Sequence, residues 1–109
     1  DPTLDPEEQK TMRVEAALKR GMLHSKRKNF GAAILDYNRV LSLQPGCQIA
    51  ILHRGIAFHS HGYHDSAISD YNKCLELEPD LLAGLQNRAT ALMALKRHTE
   101  ALVDLDRVP

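Results

Sequence analysis

Three histidines crowd one short stretch of this sequence, His59, His61 and His64 in HSHGYH. Imidazole nitrogens are common ligands for late first-row metal ions, so this is the first place to look for chemistry. A metal site would use two or three of them, yet His59 and His61 point apart if the segment is helical. No fourth ligand stands at an obvious spacing, and solvated turn histidines are the plainer reading. The cysteines, Cys47 and Cys74, stand in no metal-like or redox-like spacing, which suits a reducing compartment. Neither has a neighbouring His or charged helper in sequence to activate a thiolate. Lys26-Arg27-Lys28 is a small basic run without interleaved aromatics, so it reads as a solvated turn rather than an anion site. No glycine-rich phosphate loop or G-x-S-x-G element occurs. With no catalytic residue to nominate, the expectation is a non-enzyme that needs no cofactor and holds no metal.

Composition narrows the class further. The chain has 109 residues, 43% of them hydrophobic, enough for one domain with a packed core. Aromatics make up 5% and Trp is absent, so that core is aliphatic. Lys and Arg total 14 against 14 Asp and Glu, leaving no basic excess to displace counterions from a nucleic acid. No uninterrupted apolar run approaches the roughly 18 residues of a membrane span, and no secretory leader is visible. An intracellular, cytoplasmic setting is expected. The chain opens without Met and stops at Val108-Pro109, which suggests a piece of a longer protein.

The elements that position these residues emerge from a 34-residue self-similarity. Gly21, Gly55 and Ala89 form one column; Ala33, Ala67 and Ala101 form another. Ile34, Ile68 and Leu102 follow, then Tyr37, Tyr71 and Leu105, then Val40, Cys74 and Val108. Pro45 and Pro79 close the first two copies by disfavouring helix in the residue before them. Small residues mark places where two helices cross closely, and the tyrosines are expected to fill a wider gap one turn further on. Apolar residues recur at three and four, as in Ile34, Tyr37 and Leu41, which is a helical period. Six helices are expected, at 14–27, 31–43, 48–61, 65–77, 82–95 and 99–108, paired as antiparallel hairpins. A helical lead-in is expected over 1–13, able to run straight into the first repeat helix, with Asp5 as N-cap, Pro6 at the first helical position and Glu8 where a capping-box carboxylate belongs.

Two charged columns share the period: Arg20, Arg54 and Arg88, and Asp36, Asp70 and Asp104. Each Arg stands 16 residues before the Asp of its own copy, and each Asp stands 18 before the Arg of the next. Pairing within a copy and pairing between copies are both open at this point. A recurring carboxylate for every Arg favours a structural ion-pair ladder over a row of arginines that binds anionic ligands.

On these columns the chain resembles the tetratricopeptide repeat family, with residues 14–47, 48–81 and 82–109 as three tandem repeats, the third truncated. The family's large, small, aromatic, Ala, aromatic and Pro positions are met at Ile51, Gly55, Phe58, Ala67, Tyr71 and Pro79; the first repeat departs with Ala17 and His24. The resemblance implies an all-α, right-handed superhelical solenoid whose concave face, lined by the first helix of each pair, holds a protein or peptide partner. It places Glu15, Leu18, Lys19, Met22 and Lys26 on that face from the first repeat. Ile49, Leu52, His53, Ile56 and His59 follow from the second, and Ala83, Gln86, Asn87, Thr90 and Met93 from the third. A subgroup of the family clamps acidic heat-shock chaperone tails with Lys, Asn and Arg side chains in this groove. The matching places here hold Leu18, Met22, His53, Ala83 and Asn87, so that clamp is not matched.

The expectation is therefore a scaffold or adaptor module that binds an apolar or amphipathic segment through Leu18, Met22, Ile49, Leu52, His53, Ile56, Asn87 and Thr90. Leu52 is expected to lie on the groove surface, where a charge would remove binding without harming the fold. The alternatives are a structural solenoid that self-associates through Leu102 and Leu105 of its last helix, and, more distantly, metal binding at the histidine turn.

Overall fold

The computed structural model describes residues 3–109, so the first two residues of the expected lead-in lie outside the described residues. Six helices follow one another: α1 (Pro6–Lys26), α2 (Phe30–Leu43), α3 (Gln48–Ser60), α4 (His64–Leu77), α5 (Leu82–Ala94) and α6 (His98–Asp106). Among the described residues there is no strand, and no helix is long and apolar enough to cross a membrane. The helical lead-in runs without a break into the first repeat helix, as its sequence allows, giving α1 its 21 residues. Asp5 accepts the Glu8 amide hydrogen at 2.8 Å, and Glu7 and Glu8 place negative charge on the first turn, where the helix dipole favours it.

Each hairpin turns through the same backbone device. Lys28, Gly62 and Lys96, one period apart, all have positive φ, at 62°, 91° and 61°. The next residue then donates its amide back into the helix, Asn29 to His24, Tyr63 to Phe58 and Arg97 to Leu92, each at 2.8 Å. This Schellman-type closure satisfies carbonyls that the helix end would otherwise strand. Only Gly62 adopts the left-handed conformation without steric cost.

Helices touch only near neighbours. Hairpin partners pack, α2 packs on α3, α4 on α5, and the first helices α1, α3 and α5 touch in sequence. The result is an elongated stack of 54 × 27 × 20 Å, as expected of a solenoid. Its core is built from small residues and tyrosines. Ala33, Ala50, Ala67 and Ala91 are fully buried, as are Tyr37 and Tyr71.

The tyrosines do not fill a gap a turn away from the small column. They lie on it. A Cβ added to Gly21 would meet Tyr37 Cε1 at 2.6 Å, and one added to Gly55 would meet Tyr71 Cε1 at 2.7 Å. The glycine is the seat of the ring, which explains why Ala89 can replace it where Leu105 replaces the tyrosine. Ala67, with no exposed surface, sits where α4 meets the core. Ala67→Leu is expected to overpack this crossing and cost about 1–3 kcal/mol, read as a lower urea midpoint; a midpoint equal to the parent's would refute the assignment.

Candidate functional site

The charged columns meet within hairpins. Arg54 on α3 donates from Nε and Nη2 to the two carboxylate oxygens of Asp70 on α4, at 2.9 and 2.7 Å. Arg88 does the same to Asp104 at 2.7 and 2.6 Å. Arg20 reaches a single oxygen of Asp36 from Nε and Nη2, at 2.9 and 2.8 Å. The aspartates are 1–2% exposed, so each carboxylate is held in the core by its own hairpin partner. The other spacing, from Asp to the next copy's Arg, is not the one used.

The link between repeats is instead a side-chain amide. Arg54 Nη1 donates to Asn38 Oδ1 at 2.9 Å, and Arg88 Nη1 donates to Asn72 Oδ1 at 3.0 Å. Sequence reasoning missed these asparagines, although the recurring DYN triplets of α2 and α4 carried the signal. Arg54 and Arg88 thus engage all three guanidinium nitrogens with acceptors of the chain itself. The first rung differs. Arg20 has no asparagine before it, its side chain is 54% exposed, and Arg39 joins it on Asp36. Burial pushes the Asp36 carboxyl up, but the hydrogen bonds and charges of Arg20 and Arg39 outweigh it and hold the group below the usual carboxylate range.

The face built by α1, α3 and α5 is mixed. Met22, Ile49 and Met93 are exposed, Ile49 by 54%. Leu18, Leu52 and Ile56 are half-buried. Leu18 packs against the clusters around Val14 and Tyr37, while Leu52 and Ile56 pack against the cluster around Ile68 and Leu92. Leu52 is therefore part of the inter-repeat packing rather than a free surface anchor, and a charge there strikes the core as well as any ligand. His53 is half-buried, with its ring 6.2 Å from that of Tyr37, and burial lowers its pKa, which favours the uncharged imidazole. Asn87 is half-buried and Thr90 is exposed, the latter donating its hydroxyl to the Gln86 carbonyl at 2.9 Å.

In the histidine turn, His59 and His64 converge, with their Nδ1 atoms 2.9 Å apart and ring centroids 4.7 Å apart. His61 does not join them; it is exposed beside the Tyr63 ring. Burial, and then the charge of His64, lower the His59 pKa. Among the described residues no group of three or more His, Cys, Asp or Glu could hold a metal ion, so the three-histidine site considered from sequence is not assembled. Both cysteines are free thiols. Burial, and then the charge of Asp70, push the Cys74 thiol up to about 11, which leaves it protonated and inert.

A neighbour-only stack of helix hairpins, each locked by an arginine on a buried aspartate, defines a helical repeat scaffold. The family model for the tetratricopeptide repeat matches residues 14–47 and 50–81, and the chain belongs to that family. Among solved structures, the first repeat domain of Spaghetti (RPAP3), bound to the HSP90 peptide SRMEEVD, superposes with a TM-score of 0.83 at 22% identity, covering 88% of this chain and 76% of that one. The TPR2B domain of yeast Sti1, in its complex with pHsp70, gives 0.83 at 26% identity, with 88% and 77% covered. The Sgt2 repeat domain from Aspergillus fumigatus gives 0.82 at 20% identity, with 94% and 64% covered. No curated protein matches this sequence.

Proposed function

We propose that this chain is a protein-interaction module, part of a scaffold or adaptor, that holds an apolar or amphipathic segment of another protein along α1, α3 and α5. Family membership and the peptide complexes of Spaghetti and Sti1 support a peptide as partner. The observation that carries the apolar preference is the side-chain set of the face. Met22, Ile49 and Met93 are exposed there, Leu18, Leu52 and Ile56 are half-buried on the same helices, and burial favours the uncharged form of His53. Leu18, Met22, His53, Ala83 and Asn87 stand at the positions where the chaperone-tail clamp carries its Lys, Asn and Arg side chains, so an acidic tail finds few donors. The unpaired Cys47 and Cys74 support a reducing, cytoplasmic setting.

An apolar floor with sparse polar points suits one face of an amphipathic helix. Binding to such a peptide, selected from a display library and measured by fluorescence anisotropy, is expected at about micromolar Kd. It should be nearly insensitive to salt, because charge screening over a Debye length of about 8 Å has little to act on. SRMEEVD should bind much more weakly. Ile49→Glu, at a 54% exposed position, should abolish binding of the selected peptide with an unchanged circular dichroism spectrum. A steep loss of affinity with salt, or full binding by Ile49→Glu, would sink the reading.

A further inference from the structure

We propose that His59 and His64 form a two-histidine site for a divalent late first-row transition metal, Cu2+ above all, which clips the end of α3 to the start of α4. The rings come from the last turn of α3 and the first residue of α4, on either side of the left-handed Gly62. Both are half-buried, so they are held by the protein and still within reach of an ion in solution. His61, at the tip of the turn, stays outside beside Tyr63. The site therefore has two protein ligands, with water in its remaining positions.

The separation of the rings selects the ion. Metal–imidazole bonds are about 2.0–2.1 Å long, so two ligands at a right angle stand about 2.8–3.0 Å apart, and two at a tetrahedral angle about 3.3–3.4 Å. The Nδ1 atoms are 2.9 Å apart, the right-angle separation. Rings aimed head-on across that gap would have centroids further apart than the observed 4.7 Å, so the nitrogens meet at an angle. Neighbouring ligands at a right angle suit the tetragonal ions Cu2+ and Ni2+, and Cu2+ heads the affinity order. Without an ion, two neutral rings at this distance share one hydrogen, the Nδ1–H of one donating to Nδ1 of the other. When an ion enters, that hydrogen moves to Nε2 of its own ring. Both Nδ1 lone pairs then go to the metal, and no proton is released.

The pair is not a by-product of the repeat. One period away the same two places hold Ser25 and Phe30 in the first hairpin, and Met93 and His98 in the third. The backbone beneath the pair is pinned. Each histidine follows an aromatic residue, Phe58 or Tyr63, and those rings meet edge to face at 6.3 Å while the Tyr63 amide donates to the Phe58 carbonyl at 2.8 Å. Ligands fixed before the ion arrives lose little freedom on binding, which raises affinity above that of two free imidazoles. Charge favours a cation as well. Between Arg54 and Lys73 the chain has no Lys or Arg. His59 lies in the last turn of α3, where the helix dipole favours positive charge. The start of α4 disfavours it at His64, and the carboxylate of Asp65 in the same turn offsets that.

Isothermal titration calorimetry of the 109-residue chain with CuCl2, in a non-coordinating buffer near neutral pH, tests this. One strong site is expected, with Kd on the order of micromolar or below. His59→Ala and His64→Ala, each checked for an unchanged circular dichroism spectrum, should each weaken it at least about tenfold. His61→Ala and His98→Ala should bind as the parent does, because neither ring belongs to the pair. Electron paramagnetic resonance of the complex with one equivalent of Cu2+ should show coupling to two imidazole nitrogens. A parent that binds no more tightly than about millimolar would overturn the proposal. So would a His59→Ala or His64→Ala variant as tight as the parent, a His61→Ala variant as weak as those two are expected to be, or a complex with a single coupled imidazole.

Discussion

Arg54→Ala is expected to destabilise the chain by about 3–5 kcal/mol, because it leaves a buried carboxylate without its partner. Asp70 is 2% exposed and receives both of its short hydrogen bonds from Arg54; the remaining cation, Lys73 Nζ, is 3.9 Å away. The same change frees Asn38 and so removes the side-chain hydrogen bond between the first and second repeats. Arg20→Ala should cost distinctly less, since Arg20 is 54% exposed and Arg39 stays on Asp36. Urea unfolding of the two variants side by side checks the ranking. A loss of only about 0–1 kcal/mol for Arg54→Ala would mean that the second rung is no more than a surface salt bridge. A double-mutant cycle of Arg54 with Asn38 isolates the inter-repeat part.

Gly55→Ala is the second large effect, and its sign opposes helix propensity. On propensity alone the change should gain about 1 kcal/mol in a helix interior. The new Cβ, however, would stand 2.7 Å from Tyr71 Cε1 and 3.2 Å from Asp70 Cβ, and the Tyr71 ring is buried with nowhere to retreat. A net loss of about 1–3 kcal/mol is expected from the forced displacement. Tyr71→Leu removes the ring from above the glycine, so Gly55→Ala made in that background should cost at least about 1 kcal/mol less. The third repeat already has this combination in Ala89 and Leu105, with Ala89 1% exposed. If the two substitutions prove additive to within about 0.5 kcal/mol, the ring is not what the glycine accommodates.

Much of the architecture was legible in one dimension. A 34-residue period in Gly21, Gly55 and Ala89, in the alanines and in the prolines implies identical helix hairpins, and identical hairpins can bury their apolar faces only by stacking. The Arg and Asp columns were equally visible, because a residue type that returns every period returns to the same environment. Periodicity names the columns without saying which of them touch. The 16-residue and 18-residue spacings were both allowed, and only the antiparallel docking of α3 on α4 selects Arg54 with Asp70 and leaves the inter-repeat bond to Asn38. Likewise, which side of a helix faces a groove does not reveal how far it sinks into the neighbouring repeat. Leu52 and Ile56 belong to the face that the repeat pattern assigns to a ligand, and both are half-buried against the cluster that holds Ile68 and Leu92. His64 lies five residues from His59 across a turn, so its approach depends on the left-handed Gly62, which reverses the chain between them. A repeat pattern determines the fold because it is a property of each unit and its neighbour. Contacts at a functional face depend on the angles and depths at which those units meet, and these the tertiary structure alone decides.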